Sequence, residues 1–165
     1  SSMDPTNSVD YECELCFIVS KRAHKISKID TFEYIFGYTI LNDVTSRYLQ
    51  QQHNQWFLGK SLDSFAPMGP SIVTIDELVD VTRATISTAV NGEERQKAKI
   101  ADLIFDIPTL METLTSTMTL LPGDIIATGT PAGVGLGFNP PKFLKSGDVV
   151  SVNIDAIGCL ANPIV

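Results

Sequence analysis

The chain has 165 residues, 44% hydrophobic and 19% charged, which fits one globular domain long enough to bury a real core. Its 12 basic and 19 acidic side chains give a net charge of −7, which argues against nucleic acid or an anionic membrane as the main partner. A small anionic substrate fits if a metal supplies local positive charge.

No apolar run approaches a membrane span and no signal peptide opens the chain, where Ser1-Ser2-Met3 reads as an expression scar. Cys13, Cys16 and Cys159 do not make a secreted disulfide framework, so a reducing, intracellular compartment is expected, cytoplasmic or mitochondrial. The C-x-x-C spacing of Cys13 and Cys16 places them on opposite faces of a strand. That excludes zinc or a redox pair and leaves buried packing.

The first element is an apolar strand, Tyr11-Glu12-Cys13-Glu14-Leu15-Cys16-Phe17-Ile18-Val19, that carries two glutamates. Side chains alternate faces along a strand, so Glu12 and Glu14 point the same way, about 7 Å apart. Their repulsion calls for a cation between them, and a hard, oxygen-seeking ion such as Mg²⁺ suits two carboxylates. Asp43, which follows the apolar stretch Tyr38-Thr39-Ile40-Leu41, is the expected third ligand. The alternative is the wet face of an edge strand that needs no ion. Against it, the same face continues as Cys16 and Ile18 and so turns apolar.

Further along, Ser27 is expected to cap a short helix with Ile29, Phe32, Ile35 and Phe36 on one face, closed by Gly37. A strand leads to Asn42-Asp43, residues 45–52 form a helical turn, and residues 54–70 read as a long loop of functional character. Residues 84–90 alternate as a strand, Asn91-Gly92 signals a hairpin, and residues 93–99 return as a polar strand. Asp106 then caps a helix with Pro108 in its first turn and Leu110, Met111, Leu114 and Met118 as its buried stripe. Pro122-Gly123-Asp124 turns the chain into a strand at 125–128, and strands at 149–154 and 159–165 complete a mainly β architecture.

The glycine-rich run Gly129-Thr130-Pro131-Ala132-Gly133-Val134-Gly135-Leu136-Gly137 lacks the G-x-G-x-x-G spacing and a P-loop lysine, which excludes a nucleotide site. Two readings remain. The run brings backbone N–H groups and the Thr130 hydroxyl to a bound carboxylate, or it is a tight connection between strands.

Six blocks together resemble the fumarylacetoacetate hydrolase family. They are Val9-Asp10-Tyr11-Glu12-Cys13-Glu14-Leu15, the stretch from Gly37-Tyr38 through Asn42-Asp43-Val44-Thr45-Ser46-Arg47, Gly59-Lys60-Ser61-Leu62-Asp63, Pro67-Met68-Gly69-Pro70, Leu121-Pro122-Gly123-Asp124 through Gly133-Val134-Gly135, and Pro140-Pro141-Lys142-Phe143-Leu144 through Gly147-Asp148. They occur in order over nearly the whole chain. The resemblance implies an α+β, mainly β fold, a mixed β-sandwich roll, with residues 1–8 a tag remnant and residual N-terminal segment and 9–165 the catalytic domain. It also implies a homodimer, and Mg²⁺ or Mn²⁺ held by Glu12, Glu14 and Asp43.

In such enzymes the metal chelates a 2-oxo acid or 1,3-dicarbonyl substrate and acts as a Lewis acid on a developing enolate. By the same resemblance Lys60 neutralises oxyanion charge, and Arg47, Gln50 and Thr130 contact substrate oxygens. The residue-level alternatives are a surface helix position for Arg47, a solvated loop charge for Lys60 and a polar run for Gln50. Tyr48 departs from the acidic residue often found after that arginine. Hydrolytic members carry a water-activating His and Glu on a lid upstream of the Glu-x-Glu strand. Neither His24 nor His53 matches, so either the base stands on such a lid, the favoured expectation, or the chemistry needs no activated water.

The block after Gly135-Leu136-Gly137 looks closest to acylpyruvate hydrolases, oxaloacetate decarboxylases or tautomerases, and 2-hydroxyhepta-2,4-diene-1,7-dioate isomerases. The leading expectation is metal-dependent C–C cleavage of a small 2-oxo acid, a hydrolase or lyase reaction. Keto–enol tautomerisation or isomerisation is the alternative, and a non-catalytic metal-stabilised scaffold is a third.

Overall fold

A computed structural model describes residue 4, residues 6–52 and residues 54–165; residues 1–3, Pro5 and His53 lie outside the described residues. Two four-stranded antiparallel sheets dominate. One joins β2 (Cys13–Val19) and β3 (Ile35–Asn42) at its centre, with β5 (Met68–Thr74) beside β3 and β8 (Ile125–Ala127) beside β2. The other has the order β10 (Gly158–Pro163), β9 (Val149–Ile154), β6 (Thr85–Val90) and β7 (Glu93–Lys99). β10 lies against β5, so the sheets meet along one edge without closing into a barrel. A short pair, β1 (Val9–Asp10) with β4 (Thr45–Ser46), flanks them.

The core lies between the sheets. Cys13, Leu15, Phe17 and Val19 of β2 face Ile86 and Val90 of β6 and Val150, Val152 and Ile154 of β9 in one buried cluster. Alternation then sends Glu14, Cys16 and Ile18 to the other face of β2, yet every residue of that strand is buried. Glu14 in β2 and Glu12 just before it are both buried, which removes the wet-face alternative for the two glutamates. The fold is the mainly β roll expected of the sequence, with all of its described strand pairs antiparallel rather than mixed.

The hairpin of β6 and β7 forms at Asn91-Gly92, where both residues take the positive φ, 51° and 83°, that this two-residue turn demands. The helix α3 (Ile107–Thr117) starts where the sequence sets it. Asp106 Oδ1 accepts from the Thr109 backbone N–H at 2.8 Å, with Pro108 in the first turn. Its fully buried positions are Ile107, Met111 and Thr115, with Leu110 and Leu114 half-buried. Met118, expected in the stripe, ends the helix and is exposed because the chain turns away there to β8.

The region after Ser27 departs from expectation. A 3-10 helix occupies Lys28–Tyr34, and Ile35, Phe36 and Gly37 already belong to β3. Ile29, Phe32 and Phe36 are exposed, while Ile35 is buried in the core. The apolar spacing suited a helix face, but pairing with β2 and β5 claims the segment. At Gly37 a side chain would overlap the Val73 carbonyl. The stretch 54–70 is not one loop either: α2 (Trp56–Lys60) and the start of β5 lie within it. The expected turn at 45–52 resolves into β4 followed by α1 (Arg47–Gln52).

Candidate metal and substrate site

Register builds the site. Cys13 pairs with Asn42 across β2 and β3, so the next residue of each chain direction, Glu12 and Asp43, face each other, and the Asp43 N–H donates to the Glu12 carbonyl at 2.8 Å. Glu12, Glu14 and Asp43 each offer a carboxylate oxygen, and these oxygens lie within 4.8 Å of one another. Glu12 and Glu14 are buried and Asp43 is half-buried.

Two cations enter from the α1–α2 region. The Lys60 ammonium, at the end of α2, donates to Glu12 Oε2 at 2.8 Å, to Asp43 Oδ2, and to Thr45 Oγ1 at 3.1 Å. Arg47 is no surface helix residue: its side chain is 7% exposed, and its Nη1 meets Glu12 Oε1 at 2.6 Å and Gln50 Oε1 at 3.1 Å. Gln50, half-buried, reaches the site only through Arg47. Arg47 Nη2 is buried without a hydrogen-bond partner.

The glycine-rich segment closes the third side. The Gly129 N–H donates to Glu14 Oε2 at 2.7 Å, so this connection does present backbone N–H groups to a carboxylate, here one of the chain's own. Thr130 stands one residue further on, and its hydroxyl accepts from Gln96 Nε2 at 2.8 Å. Gln96 is fully buried and also donates to the Pro131 carbonyl at 2.7 Å. Its Oε1 accepts from the Cys13 N–H at 3.2 Å and from Thr88 Oγ1 at 3.1 Å. A cavity of about 420 Å³ borders the same segment from the Leu15 side of β2, the face opposite Glu14.

The electrostatics follow from burial. Burial pushes the Glu14 carboxyl up to about 7, and the nearby Asp43 and Glu12 charges add to this while the Gly129 N–H opposes it. Burial also raises Asp43, and its hydrogen bond with Lys60 offsets only part of the rise. For Lys60, burial pulls downward, but the hydrogen bonds to Asp43 and Glu12 outweigh it and hold the ammonium above its ordinary value. Cys16, on the glutamate face, is a buried thiol pushed far upward by burial and by Glu14.

Among the described residues, Asp10, Glu12, Glu14 and Asp43 face two cations within hydrogen-bond reach, Arg47 and Lys60, so ionisation of all four acids leaves two negative charges unmatched. A divalent cation matches that deficit, and three carboxylate oxygens are the donor set of a hard ion such as Mg²⁺ or Mn²⁺.

The described residues add Asp10 and Gln96, to which the sequence reading gave no role. Asp10 is an acid at an apolar strand start, the same signal that singled out Glu12 and Asp43. Gln96 sits in a polar return strand and carries no such signal. His24 is exposed, with its Nδ1 3.4 Å from the Met118 carbonyl, and is not part of the acid cluster.

The model of the fumarylacetoacetate (FAA) hydrolase C-terminal domain matches residues 2–165. The chain belongs to the fumarylacetoacetate hydrolase family. Among its relatives, the oxaloacetate tautomerase YisK of Bacillus subtilis is 52% identical over 164 residues, covering 99% of this chain and 54% of that protein. The fumarylacetoacetate hydrolase of psychrophilic Exiguobacterium antarcticum superposes with a TM-score of 0.95 at 46% identity, covering 98% of this chain and 58% of the other. Maleylpyruvate hydrolase from Sphingobium sp. SYK-6, solved in complex with manganese (II) and pyruvate, superposes at 0.84 with 37% identity, covering 96% and 55%. The chain therefore spans about half the length of the relatives it matches.

Proposed function

We propose that this chain is the metal-binding catalytic domain of an enzyme that interconverts keto and enol forms of a small 2-oxo acid of the oxaloacetate type. The carrying observation is the trio Glu12, Glu14 and Asp43, whose carboxylate oxygens lie within 4.8 Å of one another and which together with Asp10 outnumber the cations Arg47 and Lys60 by two. The 52% identity to an oxaloacetate tautomerase favours proton movement over the C–C cleavage that the sequence motifs put first.

Glu12, Glu14 and Asp43 would hold Mg²⁺ or Mn²⁺, which supplies Lewis-acid polarisation of the substrate's 2-oxo group when bound. Lys60 keeps its proton, because Asp43 and Glu12 favour the ammonium, and serves as a fixed cation beside the reacting oxygen rather than as a base. Arg47, buried and held on two sides, presents a preformed guanidinium to a substrate carboxylate. Gln50 orients Arg47 from α1, and Thr130 stands next to the loop N–H that meets Glu14. The assembly is a homodimer, which light scattering of the purified protein checks.

Hydrolytic C–C cleavage is the second reading, favoured by the likeness to maleylpyruvate hydrolase. Incubating the full-length protein with oxaloacetate and with a short acylpyruvate, with and without Mn²⁺ or Mg²⁺, separates the two. Enol absorbance that decays faster without pyruvate release supports the tautomerase. Metal-dependent pyruvate release that is lost in Glu14→Ala replaces it with the cleavage reading. A Glu14→Ala variant that changes stability alone, with no turnover in the parent, leaves a metal-stabilised scaffold.

A further inference from the structure

Asp10 is fully buried, and none of the roles above includes it. Its carboxylate accepts four hydrogen bonds. Oδ1 takes the N–H of Tyr11 at 2.9 Å and of Gly135 at 2.6 Å, and Oδ2 takes the N–H of Leu136 at 2.9 Å and Arg47 Nε at 2.9 Å. Each oxygen thus faces two donors. An asparagine amide would turn its NH₂ against a pair of N–H groups whichever way it lay, so only an acceptor-only group satisfies the place.

One donor is the adjacent Tyr11 N–H, and the other three come from two distant parts of the chain. Gly135 and Leu136 belong to the glycine-rich segment whose Gly129 N–H contacts Glu14, and Arg47 is the guanidinium that contacts Glu12. Close packing enforces the arrangement. A Cβ at Gly135 would come within 2.6 Å of Asp10 Oδ1 and overlap the Lys142 carbonyl, so this glycine is required for its backbone to reach the carboxylate.

From this geometry we infer that Asp10 is a positioning residue: it fixes Arg47 and the Gly135-Leu136 turn together, so that the guanidinium is held ready for a substrate carboxylate. Arg47 has its Nε tied to Asp10 and its Nη1 tied to Glu12 and Gln50, which leaves rotation about its side chain blocked from both ends. Without Asp10 the guanidinium has a single strong partner, Glu12, and collapses onto that ligand. The Arg47 part of the inference rests on the 2-oxo acid reading above; the link between loop and guanidinium does not.

Three measurements on the whole chain test it. In the parent protein the Arg47 Nε–H gives a slowly exchanging NMR resonance and the Gly135 and Leu136 amides are protected from hydrogen exchange; fast exchange at these three groups overturns the inference outright. Asp10→Asn loses all three protections together, with Asp10→Ala as the second variant should the amide prevent folding. On the Mn²⁺-loaded protein with pyruvate as the probe, Asp10→Asn weakens binding by about tenfold, the scale of a lost charge-assisted hydrogen bond.

The double variant Asp10→Asn/Arg47→Lys binds pyruvate no more weakly than Arg47→Lys alone. Effects that multiply instead assign Asp10 a merely structural role and overturn the positioning claim. Absence of pyruvate binding by the loaded parent defeats the substrate reading and Arg47's part with it, whereas the exchange data still decide whether Asp10 joins loop to guanidinium.

Discussion

The Gly129 backbone N–H donates to Glu14 Oε2 at 2.7 Å across 115 residues of sequence, so one metal-candidate carboxylate is held by the loop that follows β8 and not by any cationic side chain. Glu12 and Asp43 share Lys60, whereas among the described residues Glu14 has this one neutral donor. Burial pushes the Glu14 carboxyl up to about 7, and this single neutral donor, with Asp43 and Glu12 adding to the rise, opposes it only in part.

A pH dependence follows. The Glu14 carboxyl is raised from 4.5 to about 7 in the folded chain, so the folded state binds more protons than the unfolded one between those values. Stability of the metal-free protein from this group is therefore fully present below about pH 4.5 and is lost as pH rises through about 7. Melting curves at pH 5 and pH 8 should show the higher Tm at pH 5 for this contribution, and Glu14→Gln should flatten the difference. Metal binding runs the other way, since a ligand must be deprotonated, and Mn²⁺ affinity should climb across the same interval.

Lys60 occupies the space between Glu12 and Asp43. Replacing it with Met leaves two partly buried carboxylates facing each other and should destabilise the metal-free chain by about 1–3 kcal/mol, less than a fully buried pair because the ammonium is 20% exposed. Differential scanning calorimetry checks this: Mn²⁺ should raise Tm more in the variant than in the parent, while turnover is lost. An equal metal-induced gain in both would remove Lys60 from the acid cluster.

Gln96 ties β7 to β2, to β6 and to the loop through four hydrogen bonds. Gln96→Leu fills similar volume but strands the Cys13 N–H, the Thr88 hydroxyl and the Pro131 carbonyl. Urea unfolding should show a loss of roughly 2–4 kcal/mol. A loss under 0.5 kcal/mol, the range of an ordinary surface substitution, would contradict this network.

Gly133 has φ of 108°, and a Cβ there would overlap the Arg95 carbonyl. Gly133→Ala should cost about 2 kcal/mol or more from strain and overlap together. Gly123→Ala, also at positive φ but with open space around it, should cost only about 1 kcal/mol. Equal losses in the two variants, read by urea unfolding, would count against close packing at Gly133.

Much of the acid site was legible because charge is conspicuous in apolar strands. Glu12, Glu14 and Asp43 interrupt hydrophobic runs, and a buried carboxylate requires a partner whatever the fold. The hairpin at Asn91-Gly92 and the cap at Asp106 were readable for a similar reason: each is decided by a few neighbouring residues whose backbone preferences are strong. The apolar spacing after Ser27 misled because a helix face and a strand bordering a 3-10 turn share it. Only pairing of Ile35–Asn42 with β2 and β5 chose between them.

Tertiary structure alone decided the partners. The β2–β3 register set Glu12 opposite Asp43, the return of the glycine-rich segment delivered Gly129 to Glu14 and Gly135 to Asp10, and β7 carried Gln96 to Thr130. Local sequence fixes which groups cannot remain buried alone. Which distant donor answers each of them depends on the packing of whole sheets, a long-range energy that no window of residues contains.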